Sequence, residues 1–344
     1  MINFKKTILL TGAGFSKNFG GYLGREMWAK IFNNPDIDAV PGGIRPVLRN
    51  NFDFESVYAD VLADPNLKNE EKKKFESVII SAYDDMDRML GQYNYTGSDP
   101  YQINFHSVSK LLGLFAGTGG SGDIGVHFTL NQDLFMEKKL QRKSLGLVTA
   151  KYGDYAEAIN NGRINSKLKV ALPDENFINE FQQKHMNSAG DLFYIKLHGS
   201  SGWFSADGSN RMILGNNKLF DIMKEPLLKW YLNIFEQVLN QGDVRLFVIG
   251  YGFRDSHINQ YVVKAIKEHG LKIFVISPND PEDLKNRLIG KPNSPGQIWE
   301  QNQDGLTIWN ALVNYYPYSL KEIFPSDQSD TDIKDDLFNA IKNT

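Results

Sequence analysis

Thr7-Ile8-Leu9-Leu10-Thr11-Gly12-Ala13-Gly14-Phe15-Ser16 decides how the chain is read. A short apolar run ends in a turn of small residues, and Ser16 follows as a candidate helix cap. This is the pattern of a buried parallel strand that delivers a phosphate to a helix start. Glycine lets the backbone approach closely, and free N–H groups at the positive helix end would face an anion. The dehydrogenase form of the pattern fails. Its third glycine would stand at Lys17, and no acidic residue closes a second strand about 20 positions on. The Gly-Lys-Ser/Thr triplet of ATPase phosphate loops occurs nowhere in the chain. The turn therefore points to a nucleotide, but not to hydride transfer or ATP hydrolysis.

The 344 residues suffice for a large α/β domain with an insertion, or for two domains. With 41% apolar and 12% aromatic residues, they can bury a substantial core. A net charge of −3 gives no general attraction to nucleic acid. The lack of cysteine excludes disulfides and cysteine-ligated zinc, and it fits a reducing compartment. No run is long enough to span a membrane, and the opening Met-Ile-Asn-Phe-Lys-Lys lacks a signal-peptide layout. The expected location is the cytoplasm, with no membrane partner.

Further strands are expected at residues 124–130, 192–197, 244–249 and 271–276, each a short apolar run bounded by turn residues. Helices are expected at 23–32, 226–239 and 257–268, with a mobile loop at 18–24, where Gly20, Gly21 and Gly24 cluster. Residues 50–116 carry apolar side chains at helical spacing and read as a helical insertion walling the site. Residues 203–214, around Asp207-Gly208, read as a hairpin. The Gly117–Gly122 run reads as a connector, and Lys138, Lys139, Arg142 and Lys143 as a solvated basic face. After Pro278 the pattern loosens.

Apolar strands alternating with helices predict an α/β fold, a Rossmann-like doubly wound parallel sheet with a helical insertion. Ligands of such sheets bind at the carboxyl ends of the strands. Four strand ends carry polar or glycine-rich sequence: 12–16, 131–133, 198–200 and 250–255. If the strands share a sheet, these groups meet around one ligand. Locally each has a plainer reading. Asn131 and Asp255 suit helix N-caps, Asp133 suits a first helical turn, and a lone His198 suits a structural hydrogen bond.

Taken in order, Gly-Ala-Gly-x-Ser, Asn-x-Asp, His-Gly and Gly-Tyr-x-Phe-x-Asp resemble the sirtuin-like fold. The resemblance is nearest to its bacterial branch of NAD-cleaving domains in antiphage defence. These motifs span residues 7–259. The resemblance implies that Gly12, Ala13, Gly14 and Ser16 hold the NAD pyrophosphate. Asn131 would orient the nicotinamide ribose and a water, and Asp133 would hold the nicotinamide amide. His198 would be the base, and Gly250 and Asp255 would lie by the adenosine half. The organisation implied is a domain over 1–280 with a helical insertion at about 34–120, followed by an extension at 281–344 that packs on it or mediates assembly.

The chemistry stands apart from the family. Cleaving a nicotinamide–ribose bond passes through an oxocarbenium-like state, as glycoside hydrolysis does. Nicotinamide leaves neutral, so the needs are a held ribose, a placed water and a base unprotonated near pH 7, a role histidine fits. Sirtuin deacylases carry a four-cysteine zinc module, which this chain lacks, and their Asp-Phe-Arg stretch is not evident after Gly20-Gly21. Water is then the natural acceptor, and no metal is expected. The function implied is NAD+ hydrolysis to ADP-ribose and nicotinamide, depleting NAD during phage infection. Control would come from homo-oligomerisation or from a partner such as a ring-forming ATPase of the FtsK-HerA class. A non-catalytic NAD or ADP-ribose sensor or scaffold, and a lysine deacylase, are the alternatives.

Overall fold

In a computed structural model, residues 3–40, 43–91, 103–117, 122–136, 145–147, 170–185, 192–290, 301–327 and 329–342 are described. The strands are β1 (Thr7–Thr11), β2 (Gly125–Thr129), β3 (Leu145–Leu147), β4 (Val170–Ala171), β5 (Leu192–Lys196), β6 (Gly199–Phe204), β7 (Asn210–Met212), β8 (Arg245–Ile249), β9 (Lys272–Ile276) and β10 (Leu312–Tyr316). Seven of them form one sheet in the order β10-β9-β8-β1-β2-β5-β3, with every pairing parallel. From β1 the chain passes to β2, then to β3 at the far edge and back to β5 between them, before it crosses to β8 and winds the other way through β9 and β10. This is the doubly wound α/β arrangement the alternating pattern predicts, and its direction reverses between β1 and β8.

Strand alternation divides the core in two. Ile8, Leu10, Val126, Phe128, Ile195, Leu246 and Val248 face helices Glu175–His185, Pro226–Leu239, Ser256–His269 and Pro281–Ile289. Leu9, Tyr194, Phe247, Ile249, Phe274 and Ile276 face the other way. There they meet Phe54–Ala63, Asn69–Gly91, Phe105–Gly113 and the tail helix Asp332–Lys342. The helical segment expected to wall the site therefore also supplies one face of the sheet's covering. Without it that face would lie open to water.

Most expected elements appear within a residue or two of their bounds. Two differ. The segment after Pro278, expected to be loose, carries helices Pro281–Ile289 and Gln303–Asn310 and then β10, which pairs β9 at the sheet edge. The stretch assigned to an extension at 281–344 thus completes the doubly wound sheet. The hairpin begins earlier than expected, with β6 opening at Gly199 directly behind His198 and pairing antiparallel with β7. Residues 118–121, Lys138, Lys139, Arg142 and Lys143 lie outside the described residues. Among the described residues, no helix is long and apolar enough to cross a membrane.

Candidate active site

Four strand ends stand side by side. Thr11 pairs with Thr129 and with Ile249, and Thr129 pairs with Lys196. Asn131 and His198 each follow two residues beyond that last pair, on adjacent strands. The β1 and β8 turns abut at the reversal of strand order. Gly12 N donates to Ile249 O at 3.0 Å and Gly14 N to Gly250 O at 2.9 Å. A Cβ at Gly14 would lie 2.7 Å from Gly250 Cα. One at Gly250, held at φ 67°, would lie 2.2 Å from Phe15 N. These glycines serve close backbone packing, and two of the N–H groups expected to face an anion are used within the fold.

Ser16 lies behind the turn and is buried with its partners. Its hydroxyl donates to Asp133 Oδ2 at 2.7 Å, and Asn131 Nδ2 donates to Ser16 Oγ and to Gly12 O, both at 3.0 Å. Asp133 Oδ1 accepts from Phe135 N at 3.0 Å. The buried ammonium of Lys196 donates to the Asp133 carbonyl. Gly12, Ser16, Asn131 and Asp133 are thus one hydrogen-bonded unit. Ala13 is the first residue of the short helix Ala13–Lys17 and is exposed.

His198 belongs to a second group. Its Nε2 lies 2.9 Å from Nε2 of His257. One ring must donate and the other accept, so a single proton is shared between the two nitrogens. Burial, with Lys218 and His257 adding to it and Asp255 opposing, pushes His198 down to about 3. Burial likewise pushes His257 down to about 4, against the pull of Asp255. Both rings are therefore neutral at pH 7. Lys218 Nζ lies 2.7 Å from Asp255 Oδ1 and 2.7 Å from Glu55 Oε2. Burial lowers Lys218, but Glu55 and Asp255 outweigh it and leave the ammonium raised. For Glu55, burial outweighs the ammonium and the carboxyl is raised. For Asp255, burial is overcome by His198 and Lys218, and the carboxyl is lowered. Asp255 occupies the N-cap position of Ser256–His269, but its side chain makes no capping bond and turns to Lys218 instead.

The loop between β8 and that helix is set by its own contacts. Phe253 is held at φ 54°, a strained conformation for a bulky residue, and Asn259 Nδ2 donates to its carbonyl at 2.8 Å. The two groups meet through backbone. Gln132 Nε2 donates to Ile213 O at 2.6 Å, and Ile213 N donates to His198 O at 2.9 Å. Tyr83, from the helical segment, donates to Gln132 Oε1.

The structure thus gathers Gly12, Ser16, Asn131 and Asp133, sets Gly250 against Gly14, and joins His198 to Asp255 through His257 and their shared surroundings. The Asn131 carboxamide turns toward β1 and the His198 ring toward the helix after β8, with their strand positions adjacent. Sequence reading overlooked Glu55, Tyr83, Gln132, Lys218 and His257. The spacing Asp255-x-His257 behind a glycine-rich strand end was the available signal for His257. Glu55 and Lys218 left none, because their partners are remote in sequence.

No curated protein matches the chain. A family model described as a SIR2-like domain matches residues 125–295, from the start of β2 to beyond helix Pro281–Ile289. The match takes in Asn131, Asp133, His198, Gly250 and Asp255, and it supports a sirtuin-like family for this chain.

Proposed function

We propose that the chain hydrolyses NAD+ to ADP-ribose and nicotinamide at the carboxyl edge of the sheet, between the turn after β1 and the His198–His257 pair. The observation that carries this reading is the placement of Asn131 and His198 two residues beyond a register pair of adjacent strands, beside the reversal of strand order. The similarity of residues 125–295 to SIR2-like domains supports NAD as the substrate.

In this reaction the Asn131 carboxamide, fixed by Ser16 and Gly12, orients the ribose and a water. The glycosidic bond lengthens, nicotinamide leaves neutral and positive charge develops on the ribose. His198 is neutral and is called on only as the water adds. When His198 holds the shared proton and donates it from Nε2 to His257 Nε2, its Nδ1 is unprotonated and is the atom that accepts the water's proton. A weakly basic imidazole suffices for such a step, because water attacking an oxocarbenium centre sheds its proton readily.

The biological setting we propose is antiphage defence through NAD depletion. Restraint would come from self-assembly or from a partner ATPase of the FtsK-HerA class. The test follows nicotinamide release by chromatography from purified protein, with and without that ATPase. Wild type should release nicotinamide, and His198→Ala and Asn131→Ala should each lose about 10²–10⁴-fold in rate. No release by wild type under any of these conditions, or undiminished release by both variants, overturns the proposal. Binding of NAD without turnover would favour the sensor reading.

A further inference from the structure

We propose that His198, His257 and Asp255 form a site for one divalent transition metal of the zinc class. One ligand atom from each of the three residues lies within 4.8 Å of the others. Two imidazole nitrogens and a carboxylate oxygen are a donor set for zinc, cobalt or nickel rather than for magnesium or calcium, which favour all-oxygen sites. At zinc bond lengths of about 2.1 Å, tetrahedral ligand atoms stand about 3.4 Å apart. The two Nε2 atoms, now 2.9 Å apart, need to open only slightly to admit the ion.

The scaffold is rigid where this matters. Asp255 and His257 flank the first residue of a 14-residue helix, and both rings are buried, at 3% and 7% exposure for His198 and His257. Gly199, at φ 68°, is so close to Arg211 O that a Cβ would lie 1.8 Å from it, which pins the residue after His198. Lys218 takes Oδ1 of Asp255, leaving that carboxylate a second oxygen for the metal and supplying the outer hydrogen bond that ligating carboxylates use. Glu55 and Asp255 both pair with the Lys218 ammonium and so offset its charge beside the site. Three protein ligands leave a fourth position for water.

Metal binding itself does not depend on the proposed reaction. One consequence does rest on that reading: a metal on Nε2 of His198 confines that ring's proton to Nδ1, the nitrogen that hydrolysis needs unprotonated, so zinc and NAD cleavage oppose each other.

The experiment strips full-length protein with a chelator and titrates Zn2+ against a chromophoric chelator. Wild type should take up one equivalent. His257→Gln and Asp255→Asn should each weaken uptake by more than the roughly 10–100-fold that follows loss of an outer-sphere partner. His269→Gln, a partly exposed histidine elsewhere, should leave it unchanged. No uptake by wild type, or uptake unaltered in both ligand variants, overturns the site. Should the variants fail to fold, Co2+ added to wild type decides. Intense tetrahedral visible bands support the site, and the pale spectrum of an aquated ion overturns it. Nicotinamide release is read separately. Zinc-loaded protein that cleaves NAD undiminished overturns the antagonism, whereas protein that binds zinc and never cleaves NAD defeats the proposed reaction and leaves the metal site standing.

Discussion

Ser16→Ala removes the hydroxyl that joins Asn131 to Asp133. Its bond to the Asp133 carboxyl, 2.7 Å long and buried, is of the charge-assisted kind that contributes about 1.5–3 kcal/mol. The 3.0 Å bond from Asn131 is neutral, and the carboxamide keeps its second acceptor, Gly12 O, so that loss lies near the lower end of about 0.5–1.5 kcal/mol. Asp133 Oδ2 is left buried without this partner, while Oδ1 retains Phe135 N. The expected destabilisation is about 2–4 kcal/mol, read as a shift in urea midpoint at constant slope. Ser16→Ala combined with Asp133→Asn should cost less than the sum of the two, with a coupling of about 1 kcal/mol or more. Nicotinamide release should also fall, because the carboxamide has lost one of its anchors. A midpoint shift below about 0.5 kcal/mol with additive behaviour would refute the assignment of Ser16 as the link.

Replacing Lys218 by Met strands Glu55 and Asp255 without their cation and should destabilise by about 3 kcal/mol or more. Adding Glu55→Gln should restore part of the loss in urea melts. Gly250→Ala combines φ 67° with backbone 2.2 Å from the new Cβ, whereas Gly270→Ala has φ 69° and open space. The first should prevent soluble folding or cost several kcal/mol, and the second only about 1–2 kcal/mol, compared by thermal melts. The buried histidines make the fold acid-sensitive. His127 and His198 are lowered to about 3 and His257 to about 4, so the unfolded chain binds protons that the folded chain refuses. Stability is full above the unfolded value near 6.5 and falls as pH drops through the interval below it. Each fully enclosed histidine should contribute a loss of about 2 kcal/mol between pH 7 and pH 5, measured by urea titration at each pH.

The sheet was legible because buried parallel strands read as unbroken apolar runs. Leu192–Lys196 and Arg245–Ile249 stand almost where that pattern puts them. Helix Pro226–Leu239 announced itself by its proline start and its apolar stripe. β10 was hidden because an edge strand needs no continuous apolar run. Val313 and Asn314 are exposed, and only pairing with β9 makes the segment a strand. β6 was hidden because Gly199-Ser200-Ser201-Gly202 has turn composition, and its extension comes from partners elsewhere in the chain. Of the candidate site, the strand-end residues could be named in advance, since topology alone brings strand ends together. Their partners could not. Ser16 meeting both Asn131 and Asp133, and Lys218 spanning Glu55 and Asp255, are contacts between segments whose local sequence gives no sign of one another.

A structure of the chain with ADP-ribose bound tests the central claim most directly, through the position of the anomeric carbon of the terminal ribose. The account expects that carbon within about 4 Å of the Asn131 carboxamide, and within reach of His198 directly or through one water. ADP-ribose lodged away from the β1 and β8 turns, or a ribose carbon separated from both side chains by protein, would contradict it.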